Sequence, residues 1–224
     1  MNALAKSSGW RRPGNDSRSP NDDAPYSYQP LKGDKRETRL LHLLPGVWTA
    51  PIRVKLSVID LDEKHSLPEY EALSYAWGKR RQRGSVIIGD GRHCWSLPVT
   101  RNAELALRYL RRERGGRRAL WVDAICINQT DTAERSNQVA SMVKIYLSAR
   151  RVVVWLGLAD SHSRAAVKHL DQIAARLWKL PEPVPSWLIL PEEVLPIYQL
   201  SLRPWFGRLW IWQEVMSSKR EPLL

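Results

Sequence analysis

The sequence predicts an α/β fold: a mostly parallel sheet flanked by helices, with additional antiparallel strands on its N-terminal side. Three observations carry this. From residue 100 onward, helical periodicity and short apolar β-rich runs alternate, the pattern of crossover units. Upstream of it, Ile52, Val54, Leu56 and Val58 recur with period two, which marks a half-buried strand. A chain of 224 residues, 43% of them hydrophobic, is long and apolar enough to enclose a core.

Taken in order, residues 1–37 are rich in Ser, Pro, Asn, Asp and Arg without periodicity and read as a disordered leader, so the fold is expected to start at Thr38. TRLLHLLP and IRVKLSVIDL read as an antiparallel pair. YEALSYAWG is a further strand ended by glycine, and GSVIIGDGRHCWSLPV is a hairpin whose Gly-Asp-Gly centre tolerates the positive φ of a tight turn. In TRNAELALRYLRRERGG, Ala103, Ala106, Leu107 and Leu110 share a helical face, Thr100 caps the start and Gly115-Gly116 ends it. ALWVDAICI is expected to be a strand covered on both faces. The helix TDTAERSNQVASMVKIYLSAR follows, with Val139, Met142, Val143 and Tyr146 as its inward stripe. RVVVWLG is a second buried strand and SRAAVKHLDQIAARLWKL a third helix. After the Pro-rich loop LPEPVPSW come a helix and a compact Trp-rich segment ending at WIWQEV. Residues 38–216 form the expected domain and 217–224 a short tail.

No stretch approaches 18 uninterrupted apolar residues and the N-terminus lacks the apolar core of a secretory signal, so a cytoplasmic protein without stable membrane insertion is expected. Cys94 and Cys126 lie in no CxxC, which argues against a disulfide framework and a zinc site; no metal is expected. The net charge of +12 is concentrated in residues 79–118, which hold twelve Lys/Arg against Asp90, Glu104 and Glu113. The stretch RRERGGRR has no aromatic residue for base stacking and reads as a solvated helix end, so no nucleic-acid partner is expected.

In an open α/β sheet the ligand crevice lies beyond the carboxyl ends of the strands. Ser74-Tyr75-Ala76-Trp77-Gly78 falls at such an end, as does Asp123 with Cys126-Ile127-Asn128-Gln129, and Trp212-Gln213-Glu214 ends an otherwise apolar segment. Ser74, Tyr75, Trp77, Gly78, Cys126, Asn128, Gln129, Trp212 and Gln213 are therefore candidate ligand contacts, and Asp123 and Glu214 candidate catalytic carboxylates. Arg135 and Gln138, at the start of the next helix, join them, Arg135 because it could reach Asp123 or Glu214. Each has a structural alternative. Asp123 could bond backbone amides of the next turn, Asn128 and Gln129 could form a turn and helix entry, and Cys126 could be a small core residue. Glu214 sits among large apolar residues and needs a partner if buried. GxGxxG, GxxxxGK[ST], HExxH and GxSxG are all absent, which removes support for classical dinucleotide, nucleoside-triphosphate, zinc-protease and α/β-hydrolase chemistry.

The ordered blocks YEALSYAWG, LPVTRNAELALRYLR, LWVDAICINQTDTAERSNQVASMVKIYLSARRVVVWLG and RPWFGRLWIWQEV closely resemble the HET (heterokaryon incompatibility) domain of filamentous fungi. The resemblance runs from about Thr38 to Val215. It implies non-self recognition leading to programmed cell death, acting through self-association or a protein partner, and a TIR-like, flavodoxin-like fold. Some TIR domains cleave NAD with a glutamate, so an NAD-cleaving or other nucleotide hydrolase built on Glu214 is the alternative, with NAD as substrate and no cofactor. Family members usually continue well beyond the QEV block, whereas this chain ends at SSKREPLL, so a truncated, inactive interaction module is a third expectation.

Overall fold

The computed structural model describes residues 26–32, 36–63, 67–79, 83–89, 93–178, 189–218 and 222–223. Seven strands, β1 (Glu37–Leu43), β2 (Arg53–Asp60), β3 (Glu71–Tyr75), β4 (Arg83–Gly89), β5 (Cys94–Thr100), β6 (Arg118–Trp121) and β7 (Arg151–Trp155), form one sheet in the order β5-β4-β2-β1-β6-β3-β7. Among the described residues six helices accompany them: α1 (Arg101–Leu110), α2 (Asp123–Cys126), α3 (Thr132–Ser148), α4 (Ser161–Leu177), α5 (Pro191–Ser201) and α6 (Ile211–Met216).

The α/β class holds, but the sheet is mixed rather than mostly parallel. β6, β3 and β7 run parallel, as does β2 with β4, whereas β1 is antiparallel to both β2 and β6, and β5 to β4. The cause is the β1–β2 pair, expected from its alternation, which inserts as a bridge between the parallel strands and the β4–β5 hairpin. That hairpin also forms as expected, although its Asp90–Arg92 turn lies outside the described residues. So does the LPEPVPSW loop.

Packing reaches upstream of Thr38. The Tyr26 amide donates to the Ser96 carbonyl (3.2 Å), and the Tyr28 hydroxyl to that of Ile125 (2.9 Å). The ALWVDAICI run divides: the strand stops at Trp121 and Asp123 opens the short helix α2. Val122, Ile125 and Cys126 are all fully buried at three- and four-residue spacing, so the same apolar run satisfies a helical turn as readily as a strand.

α1 ends at Leu110, before Gly115-Gly116, because Arg111 turns extended and its guanidinium engages the carbonyls of the β1–β2 loop. Thr100 caps its start as expected, accepting from the Ala103 amide (3.3 Å). Where α1 crosses β4, Gly84 is required, since a Cβ there would collide with Glu104. In α3 the buried face carries Glu134, Gln138, Ile145 and Tyr146, while Val139 and Val143 are exposed, which corrects the expected stripe. Polar partners rotate the helix: Glu134 takes the Arg39 guanidinium of β1 through two bonds (2.6 and 3.0 Å), and Gln138 accepts from the Thr38 hydroxyl (2.7 Å). A hydrogen-bonded buried charge pair can face a core where a lone charge cannot. After α6, Leu223 makes a single parallel bridge to Val153 on β7.

Candidate functional site

The parallel strands β6, β3 and β7 end at one edge, with β3 between strands that come later in sequence. Alternation sends successive side chains of β3 to opposite faces. Ser74 meets the segment that follows α5, while Tyr75 stands beside Asp123 at the end of β6.

Glu214, on α6, is 1% exposed. Arg208 holds it with a fork, Nη2 to Oε1 at 2.6 Å and Nη1 to Oε2 at 2.9 Å. The Ser74 hydroxyl also donates to Oε2 and in turn accepts from the Trp205 indole (2.8 Å). Burial works against the charge of Arg208, but Glu214 outweighs it and holds the guanidinium pKa above its usual value.

Asp123 is held separately. Its Oδ2 accepts from the Trp77 indole (2.7 Å) and its Oδ1 from the Ala124 amide (2.7 Å). Burial raises its pKa despite the opposing Trp77 bond and the nearby Arg208 charge, and the Glu214 charge adds to the rise. The Tyr75 hydroxyl is buried and makes no hydrogen bond of standard geometry, while burial first and the Asp123 carboxylate second push its pKa well up. Ser74, Tyr75, Trp77, Asp123 and Glu214 thus come together in one charge-coupled cluster. Arg208 and Trp205 complete it.

Other candidates stand elsewhere. Arg135 is exposed on α3 and does not reach either acid; Arg208 holds the place expected for it beside Glu214. Gln138 belongs to the Arg39–Glu134 clamp on β1. The Asn128 side chain accepts from the Thr130 amide and hydroxyl (3.2 and 2.8 Å), and Gln129 donates to the Asp123 carbonyl (2.8 Å), so both shape the turn into α3. Cys126 is fully buried and its thiol is pushed up to about 12 by burial, which keeps it protonated and unreactive. Gly78 is exposed at φ +76°, a left-handed conformation that glycine adopts without a Cβ penalty. Trp212 and Gln213 are exposed on α6, turned away from the buried Glu214.

Three cavities lie apart from this cluster. The first lies between α3 and residues Pro30, Leu31, Lys32, Arg36 and Glu37, the second between Tyr26 and the β2–β4–β5 surface, the third between α4 and α5, and none is lined by Asp123 or Glu214. Glu214 is sealed at 1% exposure, whereas Asp123 is half-buried. Arg208 and Trp205 escaped sequence reasoning, although an arginine six residues before a buried glutamate in an otherwise apolar segment was the available signal.

The family description "Heterokaryon incompatibility protein (HET)" matches residues 70–214, the span from the strand β3 to Glu214. The chain belongs to this family. It is 34% identical over 237 aligned positions to heterokaryon incompatibility protein 6, OR allele, of Neurospora crassa, covering 84% of this chain and 33% of that protein. It is also 25% identical over 154 positions to vegetative incompatibility protein HET-E-1 of Podospora anserina, covering 67% of this chain and 9% of that protein. The HET chain described here thus spans a third or less of these relatives. No solved structure matches it. Among the described residues no helix is long and apolar enough to cross a membrane, and no group of His, Cys, Asp and Glu could hold a metal ion.

Proposed function

We propose that this HET chain is an effector of heterokaryon incompatibility, acting in fungal non-self recognition that ends in programmed cell death, and that it works through self-association or contact with a protein partner. The observation that favours contact over catalysis is the sealing of Glu214: with both oxygens taken by Arg208 and Ser74, the carboxylate is occupied and shut from solvent. Apolar surface is available for such contact, since Val194, Leu195 and Tyr198 of α5 are exposed, as are Trp212 and Met216 of α6. The names of the two relatives support the incompatibility role.

NAD or nucleotide hydrolysis is the second reading. Its support is the buried Tyr75 hydroxyl without a regular partner beside an Asp123 of raised pKa, at the carboxyl ends of parallel strands. Conditional expression in a fungal host separates the two, following viability and NAD together for the wild type, Glu214→Gln, Asp123→Asn and the exposed-face variant Leu195→Asp/Tyr198→Asp. The contact reading expects the surface variant to stop killing in a folded protein while NAD holds steady until death. Early NAD loss, abolished with killing by Glu214→Gln or Asp123→Asn, would establish the hydrolase instead.

A further inference from the structure

The loop between β1 and β2 folds back on the C-terminal half of α1 and is pinned there by two arginines. The Arg111 guanidinium donates to the carbonyls of Val47 (2.5 Å), Trp48 (3.1 Å), Ala50 (3.1 Å) and Pro51 (2.9 Å), and Arg108 to those of Trp48 and Ala50. This fixes the Trp48 ring edge-on to Tyr109 (centroids 4.9 Å apart, planes at 86°), with the Arg108 guanidinium 5.8 Å over it. Tyr109 in turn lies 5.1 Å from Trp155 at the end of β7. Although so firmly held, Trp48 and Tyr109 are 48% and 54% exposed.

The turn after α1 starts against the loop that carries Trp48, because the Gly46 amide donates to the Arg112 carbonyl (3.0 Å). It exposes Arg112, Arg114 and Arg117, whose side chains have no ion-pair partner among the described residues, with Glu113 as the one acid between them. Taken alone, RRERGGRR lacks a stacking residue; the fold supplies two, Tyr109 from within α1 and Trp48 from some sixty residues upstream.

We propose that this surface binds single-stranded nucleic acid, with Arg112, Arg114 and Arg117 on the phosphates and Trp48 and Tyr109 stacking bases. Unpaired guanidiniums suit phosphate oxygens, and exposed rings held in place accept bases of any sequence with little ordering cost. An acidic peptide would satisfy the arginines and leave the rings idle. A membrane surface would need the rings free to insert, whereas Trp48 is clamped between Arg108 and Tyr109. The inference is independent of the incompatibility reading and is tested by binding rather than by viability.

The test is fluorescence anisotropy of a labelled 20-nucleotide oligouridylate with the full chain over a range of KCl concentrations. Competition with polyglutamate and sedimentation with phosphatidylserine vesicles are run in parallel. Arg112→Glu/Arg114→Glu/Arg117→Glu is expected to weaken binding at least tenfold and to flatten the salt dependence by about two logarithmic units per decade, the release expected from three phosphates on a single strand. Trp48→Ala/Tyr109→Ala is expected to weaken it about tenfold with the salt slope unchanged, since stacking releases no counterions. All these side chains are exposed, and unchanged circular dichroism confirms folding. Absence of oligonucleotide binding overturns the proposal. So does equal competition by polyglutamate with no effect of the ring variant, which would indicate an acidic-peptide surface, or binding to vesicles alone.

Discussion

In the sheet, Leu40, Leu41, Leu43, Leu120 and Trp121 are each 1% exposed or less, whereas in α5 and α6 Leu195, Tyr198, Trp212 and Met216 each keep more than half of their surface exposed. The outer helices add ionic pins to apolar contacts, since Trp205, Ile211 and Val215 also pack against the core. Arg208 grips Glu214, Arg176 grips Glu193, and Arg203 ties Asp160 to the carbonyls of Leu156 and Leu158 at the end of β7. The sheet is held by non-directional apolar burial, which tolerates small shifts. The helical layer adds a few directional points to its apolar packing, and a buried one such as Arg208–Glu214 is costly to break from one side. The same contrast leaves apolar side chains exposed on the layer.

Two substitutions sharpen this contrast. Arg208→Ala leaves the buried Glu214 charge without its partner and is expected to cost about 3–5 kcal/mol. In hydrogen exchange the loss of protection should concentrate in α6 and its neighbours, with β1 and β6 remaining protected. Leu41→Ala, in the middle of β1, is expected to cost about 2–5 kcal/mol and to lower protection across all strands together, because a cavity there is shared by the whole sheet. If both variants lowered protection uniformly, layer and sheet would be one cooperative unit and the distinction would fail.

Trp77→Phe keeps a ring but removes the indole donor to Asp123, leaving a carboxylate bond unmade at a cost of about 1–3 kcal/mol. The loss should be larger at neutral than at acid pH, because the Asp123 pKa, already raised by burial, rises further without that donor and the charged form is the one destabilised. Urea unfolding at two pH values reads it.

The smallest effect is expected at Glu104. Burial opposes its charge, but hydrogen bonds from Arg108 and Arg101 outweigh burial and hold its pKa below the ordinary 4.5. Its contribution is therefore present above that value and lost as pH falls through the folded-state pKa. Glu104→Gln should lower the urea midpoint by a constant amount above about pH 4.5 and flatten its decline below that pH.

Much of the architecture is legible in local pattern. The β1–β2 pair, the β4–β5 hairpin, the Thr100 cap and the order of α3, β7 and α4 follow from periodicity and capping chemistry, which operate between residues close in sequence. The errors share one cause. Residues 119–127 are apolar enough for either a strand or a helical turn, and the α3 stripe was placed by hydrophobicity although paired polar side chains occupy that face. Both were decided by neighbours distant in sequence: Arg39 for α3, and the Asp123 contacts with Trp77 and Tyr75 for α2.

The site divides the same way. By itself the sequence determined the HET family, the α/β class and the identity of Asp123, Ser74, Trp77 and Glu214 as polar groups in apolar surroundings, since residue type and spacing are properties of the chain alone. Tertiary structure decided which of them meet. It supplied Arg208 to Glu214 in place of Arg135, and it set Trp48 against Arg108 and Tyr109 of α1. The physical reason is that a buried charge takes whichever counter-charge the packed backbone brings within hydrogen-bond reach, and separation along the chain does not limit that choice.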